Sequence, residues 1–263
     1  MKRILSGVVF LPIFFVIVYW APPYAFFLLT TTAVVIGTHE FFGIASNIGV
    51  HGFHKTGMVM AFLLCLGFYF DPGLLPPLIC FSLLVTCLTW FLAENNLKVA
   101  TDQIAYTLFG IVFVAGLLGH FILIRNLEAG RSLIFFSVAI VWAGDTAAYY
   151  GGRAFGNRPL AYLVSPKKTV EGSLFGLLGS LLAGAVANLV FSIEIPLNHC
   201  LIMALFCGII GQFGDLTESM MKRNAGVKDS GRIIPGHGGI LDRVDGLIFG
   251  GPFFYYYYTY IVG

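Results

Sequence analysis

Nine apolar runs constrain the fold of this chain more than any other feature. They cover 4–20, 24–42, 57–70, 74–92, 104–124, 133–152, 173–193, 200–216 and 245–262. A helix crosses a bilayer's hydrocarbon core with roughly 20 mostly apolar residues. Inside lipid, every backbone N–H and C=O needs an internal partner, which a helix supplies. The runs therefore predict an all-α polytopic integral membrane protein with about nine transmembrane helices. Composition agrees, because 11% of the residues are charged, against about 25% in a soluble domain. The run at 57–70 is short, and the prolines of DPGLLPP set its end. The opening MKRILSGVVFLPIFFVIVYW begins like a signal peptide, but no small-x-small cleavage site precedes the next run. It is expected to be a retained span. A single transmembrane domain over 1–263 is expected, with the chemistry in a C-terminal half at about 133–263.

Charge gives the expected orientation. If the N-terminal Lys2 and Arg3 lie inside, every Lys and Arg except Arg125 and Arg131 falls on the same side. The positive-inside rule then places the loops at about 153–172 and 217–244 in the cytoplasm. The tyrosine-rich FFYYYYTY near the C-terminus suits an aromatic belt at the opposite interface. A net charge of +2 suggests no nucleic-acid partner. The five cysteines lie in apolar stretches without a CxxC pair, so neither a disulfide framework nor a zinc site is expected.

Ionisable groups in spans are costly, and they mark function. Five carboxylates gather near the predicted inner face. Asp145 lies in WAGDTAAYYGGRAFG, Asp215 and Glu218 in GQFGDLTESMMKR, and Asp242 and Asp245 just before the ninth run. Asp215 and Glu218 are spaced i, i+3, as are Asp242 and Asp245, so each pair shares a helix face. Like charges on one face need a cation between them. Two readings stand: a hard cation such as Mg²⁺, which takes oxygen ligands and leaves positions for phosphates, or pairing with Lys222, Arg223 or Arg243. A faint echo joins Gly144-Asp145 to Gly214-Asp215, each followed by an arginine eight residues after the acid.

Basic residues and turns accompany the acids. SPKKTVEG holds Ser165, Lys167, Lys168 and Thr169. PGHGG places His237, Gly238 and Gly239 where backbone N–H groups could approach an anion. Lys228 and Asp229 precede that turn. A phosphorylated, partly lipidic substrate and a divalent cation fit such a face. Membrane carboxylates also occur in ion-coupled transporters, but no repeat of spans is evident here.

The stretch SMMKRNAGVKDSGRIIPGHGGILDRVD at 219–245 resembles the signature of the phosphatidate cytidylyltransferases, or CDP-diacylglycerol synthases. Ser219, Lys222, Arg223, Lys228, Asp229, Pro235, His237, Gly238, Gly239, Asp242, Arg243 and Asp245 match in order and spacing. GDTAAYYGGRAFG and SPKKTVEG also look like family segments, whereas the first half resembles the family only in being apolar and polytopic. The resemblance implies phospholipid biosynthesis: phosphatidate attacks the α-phosphorus of CTP, giving CDP-diacylglycerol and pyrophosphate. It implies Mg²⁺, and allows a second cation such as K⁺. Asp145, Asp215, Glu218, Asp242 and Asp245 are the expected metal ligands. Asp215, Asp242, His237, Lys222 and Arg223 are the expected catalytic residues. Ser165, Lys167, Lys168, Thr169, Lys228, Asp229, Gly238, Gly239 and Arg243 are expected to bind substrate. Expected partners are CTP, phosphatidate and the bilayer, with a homo-oligomer left open. A bacterial inner membrane, with the site facing the cytoplasm, is the expected location. The alternatives are a different CTP-using lipid enzyme, such as a polyprenol kinase, and, from another class, an ion-coupled transporter.

Overall fold

A computed structural model describes residues 2–93, 96–191, 195–233, 236 and 238–263, without the side chains of 2–7 and 9. The helices are α1 (Lys2–Tyr19), α2 (Pro23–Asn47), α3 (His54–Phe70), α4 (Leu75–Leu92), α5 (Ala100–Gly110) and α6 (His120–Asn126). They continue as α7 (Gly130–Phe155), α8 (Val170–Phe191), α9 (Leu197–Asn224), α10 (Leu241–Ile248) and α11 (Gly250–Tyr257). The chain is thus an α-helical polytopic membrane protein. Among the described residues, six helical segments are long and apolar enough to cross a bilayer: Pro23–Asn47, Pro72–Leu92, Leu97–Asn126, Gly130–Phe155, Val170–Phe191 and Leu197–Asn224. Each coincides with an expected run. The runs at 4–20 and 57–70 are helical but give shorter apolar helices, Phe10–Tyr19 and His54–Phe70. The ninth run is helical in pieces, through α10, α11 and a π-turn over Tyr258–Val262.

Local chemistry sets the ends. Asp71 accepts the Gly73 N–H at 2.8 Å and starts the 3₁₀ turn Pro72–Leu74 that leads into α4. The end of α9 is closed by Gly226 at φ +67. There the Val227 and Gly226 N–H groups donate to the Lys222 and Arg223 carbonyls, the paired bonds of a glycine-terminated helix. Within the apolar helices, Thr32, Ser82, Thr86, Thr89 and Thr217 donate their hydroxyls to the carbonyl four residues back. This satisfies them where no water is present.

Two compact units emerge. One comprises 1–123 and 221–243, the other 124–220 and 244–263. In the second unit, α8 buries Gly172, Gly176, Ser180 and Gly184, a small residue every fourth position. It exposes Leu174, Leu178, Leu182, Val186 and Leu189. Large apolar side chains face outward and small ones inward, as suits a helix packed in lipid. A Cβ on Gly179 would meet Ala147, and one on Gly151 would meet Phe175, so α7 and α8 lie against each other.

The loop expected at 153–172 is more ordered than a charged turn. Pro159–Ala161 and Ser165–Thr169 form a short antiparallel hairpin, β1–β2. Thr169 then accepts the Gly172 N–H at 3.1 Å and caps α8. Glu171 accepts the N–H groups of Asn157 and Arg158 at 3.0 and 3.1 Å, and the Arg158 Nε at 3.1 Å. Strands this short carry too little pattern to stand out in a sequence.

Candidate active site

Each unit holds its own cluster of acids. In the second unit, glycines let four helices approach closely. A Cβ on Gly144 of α7 would meet Ser180 of α8; one on Gly214 of α9 would meet the Asp245 backbone oxygen of α10. One on Gly246 would meet Val141 and, at 3.8 Å, the Asp145 carboxylate. The Gly-Asp echo thus has a structural meaning: each glycine makes a helix crossing, and the acid beside it is carried to that crossing.

Asp145, Asp215, Glu218 and Asp245 meet there. Asp145 and Asp245 both lie within electrostatic reach of Asp215, and Asp245 also faces Glu218. Glu218 is 0% exposed. Lys168, delivered by β2, forms an ion pair with Asp215, and its charge also reaches Asp145. Ser219 donates to Asp215 at 3.4 Å, and the Gly246 N–H donates to Asp245 at 2.8 Å. Gln212 donates to the Ser173 carbonyl at 3.1 Å and receives the Ser173 hydroxyl. A small cavity beside them is lined by Asp145, Ser180, Cys207 and Gln212.

Among the described residues, no three or more His, Cys, Asp or Glu side chains are arranged as a ready-made metal cage. Magnesium at phosphate-transfer sites is commonly held by one or two carboxylates together with substrate phosphates. Four hard carboxylate donors, one of them paired with Lys168, fit that ion in chemical type.

The first unit is built differently. Asp242 accepts Lys222 Nζ at 2.6 Å, the Ser230 N–H at 2.9 Å, the Ser230 hydroxyl at 3.0 Å and the Gly239 N–H at 2.8 Å. Of the two readings offered for Asp242, pairing with Lys222 is what the structure shows. The side chains of this pair are 9% and 7% exposed. Burial pushes the Asp242 carboxyl up, but the Lys222 ammonium and the Gly239 and Ser230 N–H groups outweigh it, and the group sits below its ordinary value. Lys222, expected among the phosphate-handling cations, is here buried against a carboxylate.

The glycines of the signature turn also have local reasons. Gly238 has φ +83, a backbone that suits glycine. A Cβ there would strike Asp242, and one on Gly239 would strike Ser230 and Glu40. The chain's own acids therefore occupy the sides of these residues. His237 lies outside the described residues. Lys167, Lys228, Asp229 and Arg243 are exposed, and Ser165, Lys168 and Thr169 are half-buried. Arg223 donates to the Val227 carbonyl at 3.2 Å.

Sequence reasoning missed Glu40, Gln212 and Ser173. Glu40 had a signal, a lone carboxylate inside the apolar run TTTAVVIGTHEFFGIA. Such a residue marks function or a specific partner.

Clustered acids in a bundle of apolar helices define the setting of a membrane protein, and similarity identifies its family. The chain belongs to the cytidylyltransferase family, whose model matches residues 1–261. A Synechocystis protein named phosphatidate cytidylyltransferase is 32% identical over 97% of this chain and 95% of its own length. A Bacillus subtilis protein of that name is 40% identical over 59% of this chain and 58% of its own, so the chain spans little more than half of that relative. An uncharacterised Escherichia coli protein, YnbB, is 40% identical over 51% of this chain and 45% of its own length.

Proposed function

We propose that this membrane nucleotidyltransferase moves the cytidylyl group of CTP onto phosphatidate, making CDP-diacylglycerol for phospholipid synthesis. The observation that carries the reading is the convergence of Asp145, Asp215, Glu218 and Asp245, with Lys168 on Asp215, in a chain of this family. In the reaction a phosphate oxygen of phosphatidate forms a bond to the α-phosphorus of CTP. The bond from that phosphorus to the β-bridging oxygen breaks, and pyrophosphate leaves with the electron pair.

The nucleophile is already an anion, so positioning and charge neutralisation matter more than a strong base. Asp215, Asp145 and Asp245 would hold Mg²⁺, which when bound neutralises phosphate charge and polarises the α-phosphate. Lys168 holds Asp215 and is placed to move onto a phosphate. Lys167, exposed in the same unit, supplies further positive charge for the anionic substrates. Asp242 serves by anchoring the glycine turn, through the N–H groups of Ser230 and Gly239. The site faces the cytoplasm of a bacterial inner membrane, a placement supported by the distribution of Lys and Arg.

Product analysis tests the reading. Purified protein in detergent, given CTP, phosphatidate and Mg²⁺, is expected to release pyrophosphate and CDP-diacylglycerol in equal amounts. Release of CDP with a phosphorylated lipid would indicate a kinase. Absence of any CTP turnover would overturn the proposal.

A further inference from the structure

The signature loop of the first unit is gripped by a residue far from it in sequence. Glu40 lies in α2, 190 positions before Ser230, and is 4% exposed. Its carboxylate accepts the Ile240 N–H at 3.0 Å, the Leu241 N–H at 2.9 Å and the Ser230 hydroxyl at 3.1 Å. Leu241 begins α10, so Glu40 satisfies the orphan N–H groups at the start of that helix. A negative group there also complements the helix dipole. An ionisable residue in a span is costly unless it is partnered. Two backbone N–H groups, and a Ser230 hydroxyl whose one proton is shared with Asp242, offset that cost here.

The loop's composition is fitted to this carboxylate. A Cβ on Gly231 would meet Oε1, Cδ and Cγ of Glu40, and one on Gly239 would meet Oε2 and Cδ as well as Ser230. Neither glycine has a positive φ. Space taken by Glu40, rather than backbone strain, therefore excludes a side chain at 231. One turn before Glu40, a Cβ on Gly37 would press on Leu241 at 3.0 Å. Gly37 thus lets α2 come close, and Glu40 then reaches the loop. Through Ser230, Glu40 joins the Asp242–Lys222 pair, so one network sets the position of 230, 239, 240 and 242 together.

We propose that Glu40 is a positioning residue for nucleotidyl transfer: from the first half of the chain, it fixes the signature loop in the conformation the reaction uses. The catalytic part of this inference rests on the cytidylyltransferase reading, while the grip itself does not.

A double-mutant cycle tests it in the full-length protein. Glu40→Gln keeps the size but sets an amide among N–H donors. It is expected to lower kcat about tenfold with a smaller change in KM for CTP, and Glu40→Ala about a hundredfold, since small misplacements near a reacting centre cost rates of that order. Gly231→Ala alone is expected to lower kcat as well. In the Glu40→Ala background it should add almost nothing, because its obstacle is gone. Trypsin supplies a readout independent of turnover: cleavage after the exposed Lys228 and Arg232 should quicken in each variant, while the bundle keeps its thermal midpoint and elution position. If Glu40→Ala does not accumulate, Glu40→Ser with Gly231→Ala completes the same cycle, because serine also leaves the space beside 231 open. Additive losses, or wild-type cleavage and kinetics in Glu40→Gln, would overturn the proposal. A wild-type protein inactive towards CTP and phosphatidate would instead defeat the functional reading, and the cleavage cycle would still decide the role of Glu40.

Discussion

The two acid clusters face the same cost and meet it in opposite ways. In the first unit, Glu40 and Asp242 are surrounded by donors: Lys222, the Ser230 hydroxyl, and the N–H groups of Ser230, Gly239, Ile240 and Leu241. In the second, Asp145, Asp215, Glu218 and Asp245 share a neighbourhood with Lys168. A buried charge is tolerated when paired and hydrogen-bonded. A donor-saturated acid has done its work by holding backbone in place. Acids that outnumber their cations keep an affinity for more positive charge. The first cluster is therefore read as scaffold for a loop, the second as the place where a cation and phosphates are handled.

The largest effect expected from this contrast is on turnover. Asp215→Asn removes an anion from the second cluster and weakens an ion pair whose side chains are 32% and 28% exposed, while relieving the repulsion from Asp145 and Asp245. Activity should fall by more than about a hundredfold, the scale of losing one electrostatic contact in a transition state, while the thermal midpoint barely moves. Near-wild-type kcat at unchanged Mg²⁺ would break the contrast.

Stability should respond next, and in the other cluster. Lys222→Met leaves the Asp242 carboxylate buried without its ammonium. Breaking such a pair costs about 3–5 kcal/mol. Adding Asp242→Asn to Lys222→Met should recover part of that loss, which chemical denaturation in mixed micelles would record. A strictly additive pair of losses would mean that the two groups do not act together.

Acid should loosen the same cluster. Asp242 holds its proton less tightly in the folded protein than in an unfolded chain, so protons favour the unfolded loop. The stabilisation is present above the ordinary carboxylate value, about 3.9, and is lost as pH falls through the lower folded value. An acid-stable protease should therefore cut the loop faster as pH drops below about 4, and Asp242→Asn should remove that dependence. A loop equally protected at every pH, in both proteins, would deny Asp242 its anchoring role.

The smallest effect sharpens the comparison at the edge of the second unit. Thr169→Ala removes the cap of α8 and should cost about 1 kcal/mol, with its main consequence a poorer placement of Lys168 beside it. Thr169→Ser should restore both. If the serine variant fails to restore kcat while restoring the thermal midpoint, the threonine itself touches substrate.

What was legible in the sequence follows from the physics that wrote it. Bilayer thickness imposes a length on each span, so the six long apolar segments could be found from hydropathy alone. The signature was legible because its residues lie within 27 positions, and Asp145 because a carboxylate in an apolar helix stands out. The four-residue spacing of Gly172, Gly176, Ser180 and Gly184 was present too, and packing gives it its meaning. Which acid does what was decided only in three dimensions. Asp242 and Asp245 lie three residues apart in one short helix, yet one meets Lys222 and backbone N–H groups while the other faces Asp215 and Glu218. No periodicity separates them, because the difference lies in what each is packed against. Glu40 shows the same limit across 190 positions: a pattern along a chain records which residues can share a face, whereas the partner that saturates a charge is chosen by the fold.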